Sequence, residues 1–198
     1  MKIVIIDTGC ANLLSVKFAI ERLGYETIIS FDRDVILKAD KLLLPGVGSA
    51  AVAMNNLSKN NLIDIIRNTK KPLLGICLGM QLLSNFSQEN NVRALSIIDV
   101  DVKKIPANNL PLPHMGWNLV KFITDDMLFD GIDDNSYFYF IHSYTILPCN
   151  YTISSSQYGK VLISSVVKKD NFYGVQFHPE KSSKVGLKLL RNFIEKVC

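Results

Sequence analysis

Apolar positions in the first half of the chain follow two alternating rhythms. Lys2–Asp7, Glu26–Ser30, Lys41–Leu44 and Pro72–Ile76 are short β-branched or leucine-rich runs, which predicts buried strands. Between the first two, Leu13, Val16, Ile20 and Leu23 fall near helical spacing, predicting a helix over Asn12–Leu23. Gly24 then stands where a capping glycine stops a helix. A short helix is expected before Lys41, two more around Ser49–Leu57 and Asn61–Asn68, and another beginning over Met80–Phe86. Strands that alternate with helices argue for an α/β fold with a mostly parallel sheet covered on both faces.

The second half reads differently. Leu119–Ile123, Tyr137–Tyr144, Tyr151–Gln157, Lys160–Lys168 and Phe172–Phe177 look like strands with short connections, and Lys169-Asp170-Asn171 reads as a hairpin turn. A helix over Ser183–Val197 closes the chain, so antiparallel strands are expected beside the parallel ones. No repeat, linker or low-complexity tract divides the sequence, which reads as one domain over residues 1–198.

Composition narrows the class. Hydrophobic residues make up 48% and charged residues 20% of the 198 positions, which excludes disorder. Apolar runs fall far short of the roughly 18 residues of a membrane span, and the run after Met1 is too short for a signal peptide. The expectation is a soluble, cytoplasmic protein without membrane association. The net charge of +4 is scattered, and its densest pairs, Lys103-Lys104 and Lys168-Lys169, are not interleaved with aromatics. That pattern gives no nucleic-acid footprint. Cys10, Cys77, Cys149 and Cys198 form no CxxC pair and no metal-ligand spacing, so reduced thiols and no metal or cofactor are expected.

Chemistry concentrates in three places. In Gly75-Ile76-Cys77-Leu78-Gly79-Met80-Gln81 a strand runs into Gly-x-Cys-x-Gly and then a helix, the pattern of a nucleophile elbow carrying cysteine. A helix N-terminus facing the sulfur favours thiolate. Taken alone, the same stretch also reads as a buried core cysteine beside packing glycines. His178, in Phe177-His178-Pro179-Glu180, is the candidate base, with Glu180 held nearby by Pro179 to orient its ring. His114 lies in an expected loop without a nearby acid and His142 within an expected strand, and both read as structural. Pro45-Gly46-Val47-Gly48 is a second strand-to-helix turn. It is suited to supply oxyanion N–H donors together with Leu78. It is also suited to cradle a phosphate, although the absent Gly-Lys-Ser/Thr excludes a P-loop.

Gly75–Gln81 together with Phe177–Glu180 resembles the class I glutamine amidotransferases. Pro45–Gly48, Met80 and Pro113-His114-Met115-Gly116-Trp117-Asn118 resemble, more narrowly, the glutaminase-subunit family of imidazole glycerol phosphate synthases of histidine biosynthesis. The likeness runs from Ile6-Asp7-Thr8-Gly9 to the last helix. It implies a three-layer, flavodoxin-like fold and a triad at Cys77, His178 and Glu180. It also implies an oxyanion site at Val47, Gly48 and Leu78, and glutamine recognition by Gly48, Gln81 and the backbone of Ser143 and Tyr144. The resemblance further places contacts with a partner near Asn12, Trp117, Tyr139 and Lys181. Without it, Trp117 and Tyr139 read equally as core residues and Lys181 as a solvated charge. Thr8 and Ala11 depart from the tyrosine and glycine common in the family, which bears on the partner-facing turn rather than the triad.

The implied reaction is attack of Cys77 on the carboxamide of L-glutamine, with His178 passing protons through a glutamyl thioester. Ammonia released into water becomes ammonium, so a protected route to an acceptor is required. No acceptor domain is left over in this chain, and a partner subunit follows from the chemistry. The resemblance implies a (βα)8-barrel cyclase in a heterodimer. Because idle hydrolysis is wasteful, the glutaminase is expected to stay silent until the partner is loaded, with the Val47 peptide, between two glycines, as the gate of an unformed oxyanion hole. The competing readings are the same glutaminase serving another acceptor, such as a surface sugar, a cysteine peptidase or esterase, and a non-catalytic regulatory subunit.

Overall fold

The computed structural model describes residues 1–9, 12–106 and 110–197. Cys10, Ala11 and Cys198 lie outside the described residues. The parallel part comprises β1 (Ile3–Ile6), β2 (Thr27–Ser30), β3 (Lys41–Gly46) and β4 (Leu73–Cys77). Between them come α1 (Leu13–Glu21), α2 (Arg33–Leu37), α3 (Ala50–Lys59) and α4 (Ile63–Asn68). After β4 follow α5 (Leu78–Leu82), β5 (Phe86–Ser87), β6 (Val92–Arg93), β7 (Asp101–Lys104) and β8 (His114–Phe122). The chain ends with β9 (Ser136–His142), β10 (Tyr144–Ile146), β11 (Thr152–Tyr158), β12 (Val161–Lys169), β13 (Phe172–Val175) and α6 (Ser183–Glu195).

One nine-stranded sheet has the order β2-β1-β3-β4-β13-β12-β11-β8-β9. Its first five strands are parallel and the rest antiparallel, joined where β13 pairs with β4 on one side and β12 on the other. Alternation along β1 shows why both faces are covered. Ile3 and Ile5 pack with Val16, Ile20, Leu189 and Phe193 of α1 and α6. Val4 and Ile6 pack on the other side with Ala53, Leu57 and Ile66 of α3 and α4. Each fully buried aliphatic side chain contributes roughly 1.5–3 kcal/mol. No helix among the described residues is long and apolar enough to cross a membrane.

Two features depart from the hydropathy reading. The helix expected over Met80–Phe86 stops at Leu82, where Ser84 Oγ donates to the Gln81 carbonyl at 2.7 Å, and Phe86 enters a strand instead. That strand belongs to a second sheet, β10-β7-β5-β6, built from pieces too short to show a period. The strand expected from Leu119 begins at His114. Its first half turns Met115, Trp117 and Leu119 outward and buries His114, reversing the usual polarity, so the pattern reads as loop.

The turn after β4 depends on two glycines. A Cβ at Gly75 would meet the Gly79 carbonyl group at 2.6 Å, and a Cβ at Gly79 would fall onto the Leu44 carbonyl oxygen of β3. Gly79→Ala should therefore lower the free energy of unfolding by about 3 kcal/mol, the upper range for overpacking, read from the urea midpoint. A midpoint equal to wild type would show that β3 and α5 separate without cost.

Candidate active site

Cys77 ends β4 at the middle of the large sheet and holds φ 52° and ψ −105°, a left-handed conformation that L residues rarely adopt. Its thiol is nearly buried at 6% exposure and reaches the Ile141 carbonyl at 3.8 Å. The pocket in front of it, about 90 Å³, is lined by Val47, Gly48, Cys77, Leu78, Gln81, Glu89, Ile141, His142, Ser143 and Tyr144. A larger hollow of about 370 Å³ beside Asp125, Asp126, Met127, Asp130 and Lys196 is more open and carries no cysteine or histidine. Size therefore does not locate the chemistry; the strained cysteine does.

His178 and Glu180 flank Pro179 just beyond β13, the strand that pairs with β4. Both side chains are buried, at 1% and 0% exposure, and His178 Nδ1 lies 2.8 Å from Glu180 Oε1. His178 Nε2 has no hydrogen-bond partner among the described residues, and the Cys77 sulfur and Glu180 both act electrostatically on the ring. Burial alone would push the ring's pKa down. The sulfur and the Glu180 carboxylate outweigh it and raise His178 to about 10. The ring is therefore cationic at neutral pH, the state that stabilises a negative sulfur.

The other expected residues divide into pocket and surface. Gln81, on α5, donates to the Tyr144 carbonyl at 2.8 Å and to Gln176 Oε1 at 3.1 Å. Gly48 has φ 122° with open space around it, so its backbone rather than its packing requires glycine. Trp117 and Tyr139 meet edge to face at 6.1 Å on the outer side of β8 and β9; Trp117 is 52% exposed and neither side chain is core. Lys181 is exposed. Asn12, expected near a partner, points inward: its Nδ2 donates to Glu180 Oε1 at 2.5 Å, so the turn before α1 holds the carboxylate beside His178.

Three residues near the sulfur escape sequence reasoning. Gln176, just past the end of β13, points its amide at Cys77 Sγ, 3.7 Å away. Glu89 comes from a 3-10 turn over Glu89–Asn91 and accepts the Ala50 N–H at 3.2 Å, placing one acid in the pocket wall. Nothing in its local sequence marks it. His142, read as structural, is indeed hydrogen-bonded but also lines the pocket.

A family model described as "Glutamine amidotransferase class-I" matches residues 4–197. The imidazole glycerol phosphate synthase subunit HisH of Haemophilus influenzae is 56% identical over 197 residues, covering 100% of this chain and 98% of the relative. The subunit of the same name from Blochmanniella pennsylvanica is 57% identical over 196 residues, covering 98% and 100%. Among solved structures, a putative GMP synthase subunit from Thermoplasma acidophilum superposes with a TM-score of 0.76. It is 22% identical and covers 98% of this chain and 92% of that one. A second crystal structure, of a glutamine amidotransferase, also gives 0.76, at 16% identity and coverages of 98% and 97%.

The charge on His178 is open to direct titration by NMR of the imidazole nitrogens. Wild type should keep the ring protonated until the pH nears 10. In Cys77→Ala the sulfur's contribution is gone and burial opposes Glu180 alone, so the proton should leave at lower pH. An unchanged titration in the variant would show that the sulfur does not act on His178.

Proposed function

The chain belongs to the class I glutamine amidotransferase family, and on that premise we propose that it works as the HisH glutaminase subunit of an imidazole glycerol phosphate synthase. The observation that carries the chemistry is the buried His178, held by Glu180 on one side and acting on the Cys77 sulfur on the other, in front of a pocket that contains Gln81.

Glutamine enters with its carboxamide toward Cys77. The sulfur attacks the carboxamide carbon, and the oxyanion that forms is held by the backbone N–H of Leu78 and the Val47–Gly48 turn. His178 gives its proton to the departing ammonia, leaving a glutamyl thioester; the neutral ring then takes a proton from water as the water attacks. Glutamate leaves and the free cysteine returns. Gln81, Gly48 and the backbone of Ser143 and Tyr144 form the recognition surface for the amino-acid end. Glu89, the acid in that wall, suits the substrate's ammonium.

The partner in this reading is a (βα)8-barrel cyclase forming a heterodimer with the chain. It seats on the outer face of Trp117 and Tyr139 and near Asn12 and Lys181. It uses the ammonia on a phosphorylated ribulosyl-formimino nucleotide to make imidazole glycerol phosphate and aminoimidazole carboxamide ribotide. The Asn12–Glu180 hydrogen bond gives that surface a direct line to the triad.

The test is glutamate release by the chain alone, with the cyclase, and with cyclase plus its nucleotide. Little activity alone and a rise of about a hundred-fold or more in the full mixture is expected, a coupling of roughly 3 kcal/mol. Cys77→Ala should abolish release in every mixture without unfolding the chain. Brisk activity indifferent to the cyclase would keep the glutaminase and reject this acceptor, and turnover by Cys77→Ala would reject the nucleophile.

A further inference from the structure

His114 and His142 take no part in the steps above, yet both are buried and they stand opposite each other in the β8–β9 ladder. They belong to a chain of hydrogen bonds whose two ends leave no choice of direction. At the inner end His142 Nδ1 lies 2.8 Å from the Tyr144 carbonyl oxygen, which only accepts, so Nδ1 carries the proton. At the outer end the Asn118 amide sets its NH2 2.9 Å from the Gln157 carbonyl and its oxygen 2.8 Å from the Leu119 N–H, which fixes its orientation. The same NH2 lies 3.2 Å from His114 Nε2, which must accept. His114 Nδ1, 3.0 Å from His142 Nε2, therefore donates.

Each ring nitrogen is thus used once, from Asn118 through His114 and His142 to the Tyr144 carbonyl. A proton added to either ring would turn one N–H against another. His114 is stacked between Phe140 at 4.9 Å and Tyr158 at 4.2 Å, which opposes rotation of the ring. Burial acts in the same sense, lowering His114 to about 4 and His142 to about 3.

The accepting carbonyl belongs to the pocket wall. At residues 142–144 the chain leaves the large sheet for the small one, and this corner is held from three sides. Gln81 Nε2 donates to the Tyr144 carbonyl, the Ile105 N–H donates to the Ser143 carbonyl at 2.9 Å, and His142 supplies the third donor. The titratable groups around His142 are His114 from β8, Tyr144 from β10, Cys77 from the end of β4, Glu89 from its 3-10 turn and His178 beyond β13. A proton on its Nε2 would add a second cation near the sulfur and near His178.

We propose that His142 and His114 are positioning residues for glutamine hydrolysis: locked by Asn118 as neutral rings protonated at Nδ1, they hold the Tyr144 carbonyl and its pocket wall in place for the substrate. The inference rests on the glutaminase reading above and deepens it.

Nitrogen NMR of the full chain reads the tautomers independently of turnover. Both rings should be protonated at Nδ1 and silent between about pH 5 and about pH 9. His114→Phe keeps a stacking ring but removes the donor, so His142 Nε2 should take a proton in mild acid. With the cyclase present, kcat/KM for glutamine should then gain an acid limb of about ten-fold that wild type lacks. His142→Leu should raise KM about ten-fold with kcat within about three-fold. His142→Asn, whose amide nitrogen stands near the place of Nδ1, should restore KM to within about three-fold of wild type. If His114→Phe fails to fold, the two His142 variants still decide. A wild-type ring protonated at Nε2, or a wild-type KM in His142→Leu, overturns the proposal. A wild-type complex that does not hydrolyse glutamine overturns the glutaminase reading instead, while the tautomers still decide whether the lock exists.

Discussion

The backbone of Gly79 lies so close to the carbonyl of Leu44 that no side chain fits between β3 and the first turn of α5. This contact sets the angle at which the chain turns after β4, and it leaves Cys77 in a conformation that costs about 1–3 kcal/mol. Burial of Leu78, Met80 and Leu82 behind it, each contributing roughly 1.5–3 kcal/mol, more than offsets that strain. The same approach brings the end of β3 alongside Cys77, where Gly46 pairs with the cysteine, so the Val47–Gly48 turn arrives beside the sulfur. Gln81, one turn along α5, reaches the Tyr144 carbonyl from there. Loosening this one contact would misplace nucleophile, oxyanion turn and substrate wall together.

Around that elbow the protein manages a single positive charge. A buried imidazolium is costly unless negative charge is near, and His178 has a carboxylate at Nδ1 and the Cys77 sulfur acting electrostatically on its ring. Glu180 is buried as well and takes hydrogen bonds from both Asn12 and His178 on one oxygen. The other two histidines are held low by burial, and their partners, an amide, a neutral ring and a backbone carbonyl, bring no negative charge to offset it. Burial pushes all three imidazoles toward the neutral form, and only at His178 do a carboxylate and the sulfur outweigh it.

How much of this could be read from the chain follows the length of each signal. The parallel strands and the helices between them are long enough to show their period, and the Gly-x-Cys-x-Gly elbow and the Phe-His-Pro-Glu block are local patterns whose geometry is local too. The structure brings these two blocks together because β13 pairs with β4 in register, Val175 against Ile76, which no single stretch of sequence announces. The small sheet was unreadable because two of its strands are two residues long. Glu89 was unreadable for the same reason: it stands in a brief 3-10 turn, and only the fold carries it to the pocket. Asn12 drew notice only through the family resemblance, and its bond to Glu180 spans 168 positions, so no local pattern shows it.

The strand that hydropathy misread, β8, bears on the partner proposed above. Its alternate residues Met115, Trp117 and Leu119 point outward at 59%, 52% and 39% exposure, beside Tyr137 of β9 at 57%. A contiguous apolar face of this kind is rare on a protein that works alone and marks an interaction surface. The intervening residues His114 and Asn118 point the other way and carry the hydrogen bonds that end at the pocket wall. Because strand side chains alternate with a period of two, one strand presents an apolar face outward and a polar line toward the pocket. A shift of β8 along its own axis by a fraction of a residue changes the reach from His114 to His142 on β9, and with it the line of hydrogen bonds that ends at the Tyr144 carbonyl. The inverted polarity that hides β8 from a hydropathy reading is thus the feature that lets a binding surface and a buried active site share a single element.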